Sequence, residues 1–164
     1  MYPRVKLDVP IRNLLGTISA GGVAGSFPLD LTAVQNWATR FGSLFREYAI
    51  CGARLEVRVQ GVSPAQGIVV AYIDEQSAAA PTAAEALQRP RLDMIAGPLT
   101  VPKSYHLDWT PRDILDLDYV STATTFTPAW VKIYTDVASF GASAGMTGQV
   151  LITGSLALEF RGYL

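Results

Sequence analysis

The residues best placed for catalysis in this sequence lie close together on one predicted strand. The single histidine, His106, is two positions from Ser104 and from Asp108, so the three side chains would share one strand face. A working Ser-His-Asp triad instead draws its members from separate elements and places the serine on a tight turn. We therefore expect His106 to be a surface or subunit-contact residue. The sequence predicts no catalytic residues and no enzymatic activity.

Acidic residues and the cysteine are the other candidates for chemistry. Asp113, Asp116 and Asp118 form the main carboxylate concentration, and calcium takes several oxygen ligands of this kind from flexible loops. No EF-hand spacing is present, and two of these residues would suit the first turn of a helix equally well. Cys51 has no partner for a disulfide or a cysteine-based zinc site, so we expect a buried small apolar side chain. The sequence predicts no cofactor and no metal, with calcium shared between subunits as the alternative.

Basic residues on two predicted strands give the clearest sign of a binding surface. If the first and fourth predicted strands belong to one sheet, basic side chains on these strands would form one patch. The residues concerned are Arg4, Lys6, Arg12, Arg54 and Arg58. Such a patch predicts contact with the phosphates of a nucleic acid. The alternative is an ordinary solvated face, because Glu56 lies between two of the arginines.

The elements that would carry these residues are mostly strands. The stretch 41–59 changes hydrophobic period: its first half has apolar residues at helical spacing, and from Ala53 apolar and charged residues alternate. Further strand patterns occupy residues 5–15, 67–74, 92–107, 130–137 and 149–160. Pro10 predicts a bend or a sheet edge in the first of them. Residues 16–31 contain a small-residue loop that could join two strand segments.

Helices are predicted only in the connections. Thr32 to Gln35 and Thr82 to Glu85 have the capping-box spacing that begins a helix. About eight strands with helices between them favour a two-sheet arrangement over an up-and-down barrel. The predicted fold class is all-β: a single eight-stranded antiparallel jelly-roll β-sandwich with two short helices in the connections, forming one domain over residues 1–164.

The composition limits the classes of partner. The chain is 49% hydrophobic and 16% charged, against about 25% charged for typical soluble domains. A surface so poor in charge predicts coverage by other copies of the chain. The net charge of −1 provides no overall attraction to nucleic acid or anionic membranes. No apolar run approaches the roughly 20 residues that span a bilayer, so no membrane partner is expected.

The order of these segments resembles the shell domain of small icosahedral virus capsid proteins, of the tombusvirus-like and sobemovirus-like group. The apolar spacing from Phe41 to Ile50, leading into the strand from Leu55 to Val59, is similar to the helix-to-strand passage of that domain. The segments 67–74, 109–113, 131–134 and 148–160 are similar in order and spacing. The resemblance extends from about Val5 to Gly162.

The resemblance implies a structural capsid protein of the virion that assembles with copies of itself into an icosahedral shell around a genome. Nucleic acid would be contacted through the inner sheet face, meaning the face of the subunit that lines the inside of the shell. Members often bind calcium through an Asp-x-Asp before the helix, where this sequence has Asp30 alone. We expect a shell domain without the basic arm and the protruding domain of related proteins. Subunit contacts are expected from loops and helical connections, including Trp37, Arg40 and Arg46.

A carbohydrate-binding, lectin-like β-sandwich is the alternative function. In that case Trp109, Trp130 and Tyr134 would form an exposed platform on which a sugar stacks. The two functions differ in the surface and assembly that they require. A lectin needs exposed, coplanar aromatic rings, whereas a capsid protein needs a large closed assembly.

Overall fold

Antiparallel strands form most of the chain. The computed structural model describes residues 4–16, 23–60, 67–88, 92–96, 103–113, 117–135 and 149–163. Within these ranges the strands are β1 (Arg4–Gly16), β2 (Val23–Pro28), β3 (Phe45–Gln60), β4 (Gly67–Asp74), β5 (Leu92–Ala96), β6 (Lys103–Trp109), β7 (Val120–Ser121), β8 (Trp130–Thr135) and β9 (Gln149–Tyr163). The helical elements are a 3₁₀ turn (Leu31–Ala33), a π-helical turn (Ala38–Gly42) and helix α1 (Ala83–Gln88). None of these described helices is long and apolar enough to cross a membrane.

The strands form two sheets whose neighbours come from distant parts of the chain. The first sheet has the order β1-β9-β3-β6, with the two-residue β7 beside β3, and the second has the order β2-β8-β4-β5. All pairs are antiparallel. This alternation of strands between two sheets is the jelly-roll arrangement. It confirms the predicted eight-stranded sandwich, to which β7 adds one short strand.

Apolar side chains from both sheets meet in one core. Val9, Leu55 and Ile152 enter it from the first sheet, and Val69 and Val131 enter it from the second. All five are 2% exposed or less. Alternate residues on these strands point away from the core and form the outer faces of the sandwich. The outer faces therefore carry most of the charged residues predicted to bind a partner.

The strand and helix predictions have mixed outcomes. β4 begins and ends where predicted, and β1 lies at a sheet edge, as Pro10 indicated. The interrupted 92–107 segment forms two strands, β5 and β6, at the edges of different sheets. The predicted small-residue loop contains β2, also an edge strand. Edge strands are hard to recognise because their apolar pattern is incomplete.

One capping prediction is confirmed and the other is wrong. Thr82 and Glu85 exchange backbone–side-chain hydrogen bonds of 2.9 and 3.3 Å at the beginning of α1. At the first predicted box Asp30 caps the 3₁₀ turn instead, because its Oδ1 accepts a 2.8 Å hydrogen bond from the Thr32 amide. The predicted helix through Tyr48 is also wrong, since β3 begins at Phe45.

Candidate nucleic-acid interface and assembly surfaces

The predicted basic residues all lie on the outer face of the first sheet. Arg4, Lys6 and Arg12 are exposed on β1, and Arg54 and Arg58 are exposed on β3. The strand with Arg54 and Arg58 is the third strand and not the fourth, yet it shares a sheet with β1 as predicted. β9 lies between the two strands, so the two groups are separated by about 10 Å. The structure places these residues on one face but not in one continuous patch.

Three of these five cations form ion pairs with two carboxylates on the same face, because Arg4 and Lys6 share Glu159. Glu159 of β9 lies 3.3 Å from Arg4 Nη1 and 3.2 Å from Lys6 Nζ. Glu56 accepts a 3.0 Å hydrogen bond from Arg58 Nε. The alternative predicted from the sequence, a solvated face with paired charges, therefore describes much of this surface. Any attraction to phosphates must come mainly from the remaining cations.

Arg54 and Arg12 have different surroundings. Arg54 lies opposite Asp108 in the pairing of β3 with β6, so a carboxylate is its cross-strand neighbour. Arg12 lies opposite Thr153 on β9. Among the described residues no carboxylate forms an ion pair with Arg12. Of the five predicted cations, Arg12 therefore has the fewest neighbouring carboxylates among the residues that the structure describes.

Glu159 is the centre of a charged cluster that sequence reasoning missed. Its side chain is only 9% exposed, although it lies on the outer face. It accepts a hydrogen bond from the Tyr119 hydroxyl, which with Lys6 and Arg4 holds the pKa of Glu159 below its ordinary value of 4.5. Burial, followed by the hydrogen bond to Glu159, raises the pKa of Tyr119 to about 12. The guanidinium of Arg161 lies 4.0 Å from the centre of the Tyr119 ring.

The three predicted interface residues have different positions. Trp37 is a core residue: it is 7% exposed, and its Nε1 donates a 3.0 Å hydrogen bond to the carbonyl oxygen of Thr122. Little of its surface is left to contact a neighbouring subunit. Arg40 and Arg46 are exposed, as a contact residue must be. Arg40 also lies 5.0 Å from the centre of the Phe41 ring.

Asp30 occupies the position where the resemblance would place a calcium ligand. It is 3% exposed, and its Oδ1 accepts hydrogen bonds from the amide and hydroxyl of Thr32. Its Oδ2 accepts a hydrogen bond from the hydroxyl of Thr127. The carboxylate thus joins the 3₁₀ turn to the segment before β8. Its oxygens are engaged in holding the fold together.

The histidine was predicted to lie on the surface and the cysteine to be buried, and the structure treats these two predictions differently. His106 is exposed on β6, and its neighbours Ser104 and Asp108 are each about 7 Å away along the strand. Such spacing does not form a catalytic triad. Cys51 is half-buried, not buried as predicted, because the β-bulge between Ile50 and Gly52 turns it toward the outer face. Burial raises the pKa of its thiol.

Solved structures share this fold along its full length. Mud crab tombus-like virus gives a TM-score of 0.66 at 10% identity, over 100% of this chain and 91% of that one. Tobacco necrosis virus gives 0.64 at 17% identity, over 100% and 97%. The 60-mer of BFDV capsid protein gives 0.58 at 12% identity, over 99% and 95%. No protein-family model and no curated protein matches the sequence.

The chain has the jelly-roll shell fold of icosahedral virus capsids. The predicted resemblance to this type of domain is thereby confirmed at the level of fold. The similarity spans both sheets and their connections, so it does not depend on one motif.

The jelly-roll shell fold distributes the aromatic residues in a way that disfavours the carbohydrate platform. Trp109 belongs to the core, and its Nε1 donates a 2.7 Å hydrogen bond to Glu75. Trp130 and Tyr134 lie on the other sheet, on β8, and Tyr134 packs against a small cluster that contains Ala86 of α1. The three rings therefore do not share a surface on which a sugar could stack.

Replacement of Glu159 by glutamine should lower stability at neutral pH by about 1 kcal/mol, since charge-assisted hydrogen bonds are lost. The folded-state pKa of Glu159 lies below its ordinary value of 4.5, so its contribution is fully present above that pH. The contribution disappears as the pH falls through the folded-state pKa. Urea unfolding of both proteins between pH 7 and pH 3 measures this, and the two stabilities should converge at the acidic end. A constant difference across this range would contradict the assignment.

Proposed function

We propose that this protein is a structural capsid protein whose copies assemble into a closed icosahedral shell, the virion coat. One observation carries the proposal: the whole described sandwich matches shell-forming proteins, including the 60-mer of BFDV capsid protein. The T=1 subviral particle of a Penaeus vannamei nodavirus capsid protein gives a further match, with a TM-score of 0.59 over 99% of this chain. The role is mechanical, so it requires extended contact surfaces and no catalytic centre.

The exposed apolar side chains support assembly. Leu44 and Tyr163 are each 53% exposed, and they lie at one end of the first sheet, where Phe45 pairs with Tyr163. Leu7, Leu87 and Leu117 are 39%, 63% and 42% exposed. With charged residues at only 16%, these side chains give several sides of the domain apolar contact area. Contacts on several sides are what a closed shell requires of its subunit.

Contact with a packaged nucleic acid is the second part of the proposal. It would use the outer face of the first sheet, on which the predicted cations Arg4, Lys6, Arg12, Arg54 and Arg58 lie. Since three of these cations are paired with Glu159 or Glu56, we expect that affinity at this face is modest and sensitive to salt.

Size-exclusion chromatography with negative-stain microscopy tests the assembly. We expect uniform hollow spheres that elute far ahead of the 17.6 kDa subunit, and the ratio of absorbance at 260 and 280 nm reports any nucleic acid inside. Replacing Leu44 and Tyr163 together by aspartate should prevent particle formation while the subunit stays folded. Ala84→Asp is the matched control, because Ala84 is exposed on α1 and is not one of the large apolar side chains proposed to form contacts. A wild-type protein that remains a monomer or dimer across pH and salt would refute the proposal.

A further inference from the structure

An open cleft of about 680 Å³ lies beside the edge strand β1. Its walls are residues 10–13 of β1 on one side and residues of the 3₁₀ and π-helical turns on the other. The volume is within the range of about 300–1,000 Å³ that small-ligand sites occupy. The polar side chains along it belong to Arg12, Asn13, Thr32, Gln35 and Arg40. Two separate elements thus bring two arginines to one concave surface.

The described walls of this cleft carry positive charge that no carboxylate among them balances. Arg12 and Arg40 contribute two positive charges, and the described residues that line the cleft include no aspartate or glutamate. Among the described residues, neither arginine forms an ion pair with a carboxylate. Asp8 shares a strand face with Arg12 but lies about 13 Å away along β1. A concave surface with unopposed charge of one sign concentrates ions of the other.

The carboxylates nearest to the cleft already have partners, and one of its arginines is held in place by an aromatic ring. The nearby carboxylate of Asp30 is buried and accepts hydrogen bonds from Thr32 and Thr127, so its oxygens are already occupied. The carboxylate of Glu56, two strands away from Arg12, is paired with Arg58. The guanidinium of Arg40 lies against the Phe41 ring, 5.0 Å from its centre, and this contact restricts its position.

We propose that this cleft binds a phosphate-type oxyanion, with Arg12 and Arg40 as its charged ligands. Guanidinium groups offer planar pairs of N–H donors that match phosphate oxygens, and the side-chain amides of Asn13 and Gln35 add neutral donors. The inference deepens the proposed nucleic-acid contact and rests on it for its biological setting. It assigns Arg40, predicted as a subunit-contact residue, to ligand binding. It also separates Arg12 from the paired cations of the sheet face.

Binding of a short fluorescein-labelled oligothymidylate by fluorescence anisotropy tests the proposal. Arg12→Gln/Arg40→Gln should weaken binding by about tenfold per arginine, because a charge-assisted contact is lost each time. The slope of log affinity against log salt should fall by about 0.7 for each phosphate contact removed. Arg112→Gln is the matched control: it removes an exposed arginine that belongs neither to the cleft nor to the predicted cations of the sheet face, and it should leave both quantities nearly unchanged.

A second arm separates the two sources of the anion. Inorganic phosphate, compared with chloride at equal ionic strength, should raise the melting temperature of the wild type and not that of the double variant. Stabilisation by phosphate without oligonucleotide binding would assign the cleft to free phosphate, whereas oligonucleotide binding alone would assign it to a phosphodiester chain. Both results retain the oxyanion site.

Several results would overturn the site. They are equal losses in Arg112→Gln and the double variant, no change in the double variant, or a wild type that responds to neither anion. Both arginines are exposed, so the double variant should melt within about 3 °C of the wild type without phosphate. Negative-stain microscopy of the same samples tests the capsid function independently of the anion-binding cleft. Shells without anion binding refute the cleft alone, and anion binding without shells refutes the capsid function alone.

Discussion

Gly154→Ala should be among the most destabilising single substitutions in this protein, with a loss of about 4 kcal/mol or more in unfolding free energy. Gly154 lies in the middle of β9, between Ile11 of β1 and Leu55 of β3. A Cβ atom there would overlap the carbonyl oxygen of Arg54 and come within 2.9 Å of the Cα of Leu55. The backbone φ of +153° is also one that side-chain-bearing residues rarely adopt. Relief would require β9 to separate from β3.

Gly42→Ala provides the matched control. The nearest atoms to a Cβ at Gly42, in the π-helical turn, are both in Trp37 and lie 3.9 Å away. We expect a change within about 0.5 kcal/mol, or a small stabilisation, because alanine restricts the unfolded chain more than glycine does. Urea unfolding followed by tryptophan fluorescence, with equal protein concentrations to fix any contribution of assembly, measures both variants. Similar midpoints for Gly154→Ala and the wild type would contradict the close approach of the strands.

Phe160→Ala should cost about 3–5 kcal/mol. Phe160 of β9 is fully buried, and its ring centre lies 4.6 Å from that of Phe45, 5.2 Å from that of Phe41 and 5.9 Å from that of Trp37. This aromatic cluster attaches the π-helical turn to the first sheet. Its loss leaves a cavity that rigid neighbouring rings cannot fill.

Tyr163→Ala tests whether the loss of unfolding free energy at Phe160 comes from its burial or from its aromatic contacts. Tyr163 is on the same strand and also contacts Phe45, at 5.2 Å between ring centres, but it is 53% exposed. We expect a loss of less than about 1 kcal/mol, since most of its surface stays in water in the folded state. The two variants are compared by urea unfolding as above. Equal losses at Phe160 and Tyr163 would show that the cluster does not form as described.

The sequence was sufficient for the fold class because the signals it depends on are local. The apolar run in 67–74 and the alternation in 130–137 and 149–160 indicate strands that contribute to the core, and the Thr82–Glu85 box is a self-contained hydrogen-bonded unit. The failure at 41–48 has a specific cause. The apolar residues at helical spacing belong to two elements, because the π-helical turn ends at Gly42 and β3 begins at Phe45. Apolar residues from a turn and from the strand after it together gave the spacing of one helix.

The candidate site was less predictable because it depends on pairing across the sheet. The basic residues could be found in the sequence, but their neutralisation by Glu159 depends on β9 lying beside β1. The cleft combines Arg12 with Arg40, which belong to different elements and were predicted to have different roles. Trp37 was assigned to an interface because a helical connection was expected to be exposed. Its indole instead fills the space between that connection and the sheet.

The place of β9 between β1 and β3 has a consequence for synthesis. The first sheet cannot close until the ribosome has completed residue 163, because before then β1 and β3 have no common neighbour. A polypeptide that ends before β9 leaves β1 without a partner strand in this sheet and one edge of β3 unpaired. Pairing between such distant segments is slow, which lengthens the exposure of the nascent chain. The topology therefore makes closure of the first sheet depend on β9, the last strand that the structure describes.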